Sequence, residues 1–144
     1  MDTKPIAGAA VSTPLNLDLT VDNSLLIAHL KYLLSSRLDL LTLFGSTGEG
    51  ASFSSSERNS TIEKCSNAGI EPKNLGAGVF GLSSQSTGKA ICSAFSLGCG
   101  HVLLAPPFFY KGVDDEGLYR WFSETLEVIG PNTGQVILYH IPAL

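Results

Sequence analysis

Short apolar runs alternate along the chain with longer stretches in which apolar residues return every three or four positions. The runs Ile6–Ser12, Leu40–Phe44, Leu75–Val79, His101–Ala105 and Val136–His140 are brief and lack polar alternation. That pattern predicts parallel strands covered on both faces. Four helices are predicted between them. The first spans about Asp22 to Ser36, with Leu26, Leu30 and Leu33 on one face. The second opens on Ser54 with Glu57 three residues later, a capping box in which each residue satisfies a backbone donor of the other, and ends near Gly69. Its apolar stripe, Ile62, Cys65 and Ala68, is thin and suits an outer position. The third runs from about Ser84 to Leu97 and stops at Gly98. The fourth begins at Asp114 or Asp115, carries Leu118, Phe122, Thr125 and Ile129 on one face, and stops at Gly130-Pro131.

The order is therefore β-α-β-α-β-α-β-α-β, with parallel strands and right-handed crossovers. A doubly wound open sheet of the flavodoxin-like kind fits it, as does part of a (β/α)8 TIM barrel. A whole barrel takes roughly 250 residues, and this chain has 144. Two features favour the barrel. The chain ends on a strand, where a flavodoxin-like domain would add a covering helix. Chemically capable residues also follow most of the strands, whereas a doubly wound sheet gathers its site at one switch point. The fold expected is thus α/β: a partial TIM barrel in which residues 1–144 form the N-terminal part of one domain, ending after strand five. With no linker, repeat or low-complexity tract, a second domain is not expected.

Composition narrows the functional classes. Apolar residues make up 44%, charged residues 15%, and the net charge is −4, a globular profile. No Lys/Arg cluster could track a phosphate backbone, so a nucleic-acid partner is not expected. No apolar run approaches the roughly 20 residues of a membrane span, and Ile6–Val11 is too short, with Thr13-Pro14 behind it, for a signal peptide. Cys65, Cys92 and Cys99 have no metal-ligand spacing. They read as small buried hydrophobes in a reducing cytoplasm, with no metal and no cofactor.

Three segments carry candidate chemistry. Gly45-Ser46-Thr47-Gly48-Glu49-Gly50 follows the second strand. Two hydroxyls and several backbone N–H groups at a tight glycine-rich turn can cradle a small anion, carboxylate or phosphate, although an ordinary βα turn also uses glycine. It lacks the lysine of a phosphate loop and has no GxGxxG pattern. Ala105-Pro106-Pro107-Phe108-Phe109-Tyr110-Lys111 follows the fourth strand, and its three aromatics suit either a site wall or an interface. Tyr139-His140-Ile141-Pro142 closes the fifth. A phenol at the carboxyl end of a barrel strand can relay protons, or be a core tyrosine with a backbone partner. His140 alternates to the opposite side and is expected to pack under a helix. His29, in a helix, and His101, opening a strand, read as structural.

In combination these segments carry a resemblance. GSTGEG after strand two, APPFFYKG with DDEGLYRWF after strand four, and YHIPAL after strand five stand in one order and spacing. So arranged, from Ile6 to Leu144, the chain resembles the pyruvate-dependent class I aldolases that include dihydrodipicolinate synthase and N-acetylneuraminate lyase. The resemblance implies a lyase or aldolase in a (β/α)8 barrel. Such an enzyme forms a Schiff base with pyruvate or another 2-keto acid and makes or breaks a carbon–carbon bond with an aldehyde or sugar acid. It implies that Ser46, Thr47 and Gly48 bind the keto-acid carboxylate, that Tyr139 donates and accepts the proton, and that the protein is a homo-oligomer. Dihydrodipicolinate synthases commonly carry paired tyrosines where Phe108 and Phe109 stand, and an arginine where Leu144 stands. Tyr110 would supply a phenol only with a one-residue shift of the loop. With Ser46 and the Ile-Pro-Ala-Leu ending, these departures imply a sugar-acid aldolase or lyase more than a true dihydrodipicolinate synthase.

The family's Schiff-base lysine lies on a sixth strand, which this sequence does not contain. Its own lysines are Lys4, Lys31, Lys64, Lys73, Lys89 and Lys111, and a Schiff-base amine needs its pKa depressed by desolvation or a nearby cation. All six read as solvated, Lys111 included. The 144 residues alone are therefore expected to be catalytically incompetent, and their two free sheet edges to promote association. A non-catalytic barrel relic and a flavodoxin-like module binding phosphate or flavin are the remaining alternatives.

Overall fold

A computed structural model describes residues 6–131 and 135–140. Its five strands are β1 (Gly8–Ala10), β2 (Leu40–Leu43), β3 (Leu75–Val79), β4 (His101–Leu104) and β5 (Gln135–Leu138). The helices are α1 (Asn23–Ser35), α2 (Ser55–Asn67), α3 (Ser84–Ser96) and α4 (Asp115–Ile129), with one 3-10 turn at Gly50–Ser52. Each helix start has a side-chain cap. Asp22 accepts from Leu25 N–H at 2.9 Å and Asp114 from Gly117 N–H at 2.7 Å. Ser54 and Glu57 form the reciprocal box read from the sequence. Gly69, Gly98 and Gly130, at the expected stops, all have positive φ, which removes the Cβ penalty where a helix turns off.

All five strands are parallel and ordered β1-β2-β3-β4-β5. A flavodoxin-like sheet reverses its order at a switch point, and this one does not, which removes that alternative. With sequential right-handed crossovers every helix lies on the same side. The helix-facing residues Leu41, Leu43, Leu75, Ala77, Val79, Val102 and Leu104 are all buried and form the centre of the core with Leu26, Leu30, Ile62, Ile91 and Ile129. Gly88 lets α3 close on α4, since a Cβ there would meet Val128 at 2.6 Å.

The expectation that the strands are covered on both faces needs correction. On the face away from the helices Gly8 and Ala10 are exposed, and Thr42, Leu103 and Ile137 are half-buried. Sequential winding puts every crossover on one side, so among the described residues no second helical layer covers this inner face. Residue spans differ most at the first strand: pairing of β1 covers Gly8–Ala10, shorter than Ile6–Ser12, with Val11 N–H still donating to Thr42 O at 3.0 Å. β2 and β4 each end one residue earlier than expected, and β5 covers Gln135–Leu138 rather than Val136–His140. The cysteine reading holds for Cys65 and Cys99, which are buried. Cys92 is half-buried, against Val128 O at 3.9 Å. Burial pushes the thiols of Cys65 and Cys99 up to about 11 and about 12, so both stay protonated. No helix among the described residues is long and apolar enough to cross a membrane.

Candidate active site

The β2 loop is built by crowding. Phe44 ends the strand with φ of 56° and Glu49 has φ of 51°, conformations that non-glycine residues adopt only under constraint. The constraint on Phe44 is its packing: the ring is buried and sits edge-to-face on Phe53 at 5.5 Å. A Cβ on Gly50 would fall 1.9 Å from the Phe44 carbonyl oxygen, and one on Gly48 would fall 2.7 Å from the Val11 carbonyl oxygen. The Thr13 hydroxyl donates to the Gly48 carbonyl at 2.7 Å, fastening the loop to the end of β1.

The turn is closed by Glu49 N–H to Ser46 O and Gly50 N–H to Gly45 O, at 3.2 and 3.1 Å. The backbone N–H groups of Ser46, Thr47 and Gly48 and the hydroxyls of Ser46 and Thr47 have no hydrogen-bond partner among the described residues. Ser46 and Thr47 are exposed and Gly48 is buried. Unengaged donors at the carboxyl end of a strand form a concentrated site for an anion.

Tyr139 extends the β4–β5 pairing through its N–H to Leu104 O at 2.8 Å. The register pairs Gln135 with His101 and Ile137 with Leu103, so Tyr139 continues the row that faces away from the helices. It lies on the same face and at the same strand end as the β2 loop. Three strand spacings separate them, about 14 Å along the sheet. The ring is 36% exposed, so it is not the enclosed core tyrosine that the sequence left open.

The aromatic trio divides. Phe108 lines a cavity of about 250 Å³ with Ser46, Glu49, Gly50 and Phe80, which makes it a wall of the β2 loop. Phe109 and Tyr110 are 69% and 55% exposed, stack edge-to-face at 5.7 Å and are not among the residues lining that cavity. His140 is corrected: it is exposed rather than packed under a helix. Among the described residues no helix follows α4; on the outer face of β5 Val136 is half-buried against the core, while Leu138 is 58% exposed. Ile141, Pro142 and Leu144, and likewise Lys4, lie outside the described residues.

Sequence reasoning missed an inner-face contact. His101 is 2% exposed; its Nε2 shares a hydrogen bond with the Thr42 hydroxyl at 3.2 Å, and its Nδ1 has no partner among the described residues. Burial holds this imidazole below its ordinary range. The signal was the alternation of glycine at 76 and 78 in β3. A Cβ on Gly76 would strike the His101 ring, and one on Gly78 would meet Gly45 at 2.8 Å. Alternate glycines mark a face that neighbouring groups lean across.

Residues 6–144 match the dihydrodipicolinate synthetase family. The fold superposes with a TM-score of 0.93 and 38% identity on dihydrodipicolinate synthase from Agrobacterium tumefaciens str. C58, over 98% of this chain and 49% of that one. It is 29% identical to a 4-hydroxy-tetrahydrodipicolinate synthase of Macrococcus caseolyticus, over 94% of this chain and 44% of the relative. A 2-keto 3-deoxygluconate aldolase from Picrophilus torridus gives a TM-score of 0.83 at 25% identity, over 95% of this chain and 48% of that chain. The chain spans about half the length of the relatives it matches.

Proposed function

Because the chain belongs to the dihydrodipicolinate synthetase family, we propose that it carries the carboxylate cradle and the proton relay of a 2-keto-acid lyase or aldolase. The observation behind this reading is the set of unengaged donors at Ser46, Thr47 and Gly48, on the same face and strand end as Tyr139. A carboxylate such as that of pyruvate accepts from the two hydroxyls and the adjacent N–H groups. It is held with its ketone directed over the inner face. In the parent reaction an amine adds to that ketone, water leaves, and the resulting iminium accepts the electron pair of the carbon–carbon bond that breaks. Tyr139 relays the proton from the hydroxyl of the departing aldehyde fragment to the enamine carbon that the cleavage leaves behind.

The partner is proposed to be a sugar acid or its aldehyde. Phe108 and Phe109 bring no hydroxyl to the fourth loop, and Leu144 brings no cation for a second carboxylate. The similarity to an aldolase acting on 2-keto 3-deoxygluconate points the same way. The exposed Phe109–Tyr110 pair suits contact with a second copy of the protein.

The amine is the component these residues are proposed not to supply. Lys31, Lys64, Lys73, Lys89 and Lys111 are all exposed. The first two and Lys89 ride on helices, on the side opposite the inner face, and Glu71 raises the pKa of Lys73 through a 2.7 Å ion pair. A Schiff-base lysine needs the opposite shift. Borohydride reduction with pyruvate, read by intact mass, should leave the 144-residue chain unmodified. A stable pyruvyl adduct on one of its lysines would overturn the assignment.

A further inference from the structure

Between the start of α1 and the side of α2 runs a groove of about 470 Å³. Asn23 borders it from α1, and Glu57, Ser60, Thr61 and Lys64 border it from α2; Val21 is the one apolar residue among those lining it. Helical spacing gathers the α2 residues on one stripe, with Ser60 and Thr61 between Glu57 and Lys64. The two ends of that stripe stand roughly 10 Å apart along the helix axis.

Two of the lining groups are buried and unsatisfied. Asn23 Nδ2 donates to Val21 O at 3.0 Å, which fixes the amide, and its Oδ1 is buried without a partner among the described residues. Thr61 is 2% exposed, and its hydroxyl has no hydrogen-bond partner among the described residues. Buried polar groups are nearly always paired. These two come from separate helices and border one groove, so a polar group entering it supplies what both lack.

Charge is graded along the same stripe. Glu57 Oε2 accepts from Ser54 N–H at 2.8 Å and from Ser54 Oγ at 2.6 Å, which holds the carboxylate at the start of α2. The ion pairs among the described residues are Lys73–Glu71 and Arg120–Glu116, so Lys64, at the other end, has no carboxylate within reach there. A wall with a single apolar residue gives a hydrocarbon guest little to bury against. It suits a molecule with hydroxyls at one end and an anionic group at the other.

We propose that this groove binds a polyhydroxylated monocarboxylate, an open-chain sugar acid, with its acid group on Lys64 and its hydroxyls on Asn23 Oδ1, Thr61 Oγ1 and Ser60 Oγ. The volume falls within the ordinary range for ligand pockets. The site lies between helices, apart from the β2 loop donors, and does not rest on the reading given to Ser46 and Tyr139.

The test titrates gluconate into the 144-residue chain, followed by calorimetry and ligand-observed NMR. Saturable binding is expected. Lys64→Met and Thr61→Val should each weaken it about tenfold, the loss of one hydrogen bond. Sorbitol lacks the acid group and hexanoate lacks the hydroxyls, so neither should displace gluconate at equal concentration. Lys64 is exposed, so K64M tests the site even if T61V does not fold. Any of three results would overturn the proposal: no saturable binding of gluconate, displacement by hexanoate, or full affinity in K64M. Displacement by pyruvate together with full affinity in K64M would assign gluconate to the β2 loop and overturn it as well.

Discussion

His101 and Thr42 meet across a strand that lies between them: Nε2 of the imidazole stands 3.2 Å from the threonine hydroxyl, over Gly76 of β3. The middle strand must be bare for the outer two to touch. Gly76→Ala would place a methyl 2.0 Å from Nε2, and the ring, 2% exposed, has little room to retreat. We expect a loss of about 1–3 kcal/mol, as for other overpacked sites, measured as a lower urea midpoint at unchanged slope. The cost should shrink in a His101→Ala background. An equal cost there would show that the ring is not what the methyl strikes.

The same contact sets a pH dependence. Burial places the folded-state pKa of His101 below its ordinary 6.5, so the folded state binds fewer protons than the unfolded state across that window. Its contribution to stability is fully present above about pH 6.5 and is lost as the pH falls from there through the folded pKa. The slope from one proton is at most about 1.4 kcal/mol per pH unit. His101→Gln should flatten the profile between pH 5 and 7 (about the window of the histidine titration) relative to the parent. Superimposable profiles would remove His101 as the source.

What could be read from the sequence was what neighbours in sequence decide. The Ser54–Glu57 box and the stops at Gly69, Gly98 and Gly130 needed only a few adjacent residues, and they stand where expected. The motif after β2 was visible for the same reason. Direction and distance across strands were not. That Phe108 joins Phe80 and Ser46 around one cavity while Phe109 is left exposed depends on which residues of separate loops come together in space. His140 was misplaced because alternation gives a side chain its side of the sheet but not whether anything covers that side. His101 took meaning only once register set it beside Gly76.

The donors of the β2 loop make a graded prediction for carboxylate binding. Removing one hydroxyl, by Ser46→Ala or Thr47→Val, should weaken pyruvate binding by roughly tenfold, the value of a hydrogen bond to a charged acceptor. Stability should change little, since neither hydroxyl has a partner among the described residues. Ligand-observed NMR with the parent and both variants separates the two effects. Undiminished pyruvate binding in the double variant would move the carboxylate elsewhere.

Two glycines of that loop, with only four residues between them, should behave oppositely. A Cβ on Gly45 meets nothing within 4 Å, whereas one on Gly50 falls 1.9 Å from the Phe44 carbonyl oxygen. That oxygen cannot give way easily: it belongs to a residue already held at φ of 56°, with its ring buried against Phe53. Relieving the clash in Gly50→Ala means releasing the Phe44 ring, the 3-10 turn and the 3.1 Å bond from Gly50 N–H to Gly45 O together. Gly50→Ala should therefore cost several kcal/mol, at or beyond the upper end of ordinary overpacking, and lose pyruvate binding with it. Gly45→Ala should stay within about 1 kcal/mol of the parent. Urea unfolding of the two variants side by side decides it, and equal losses would mean that the loop is held by something other than the close approach of Gly50 to Phe44.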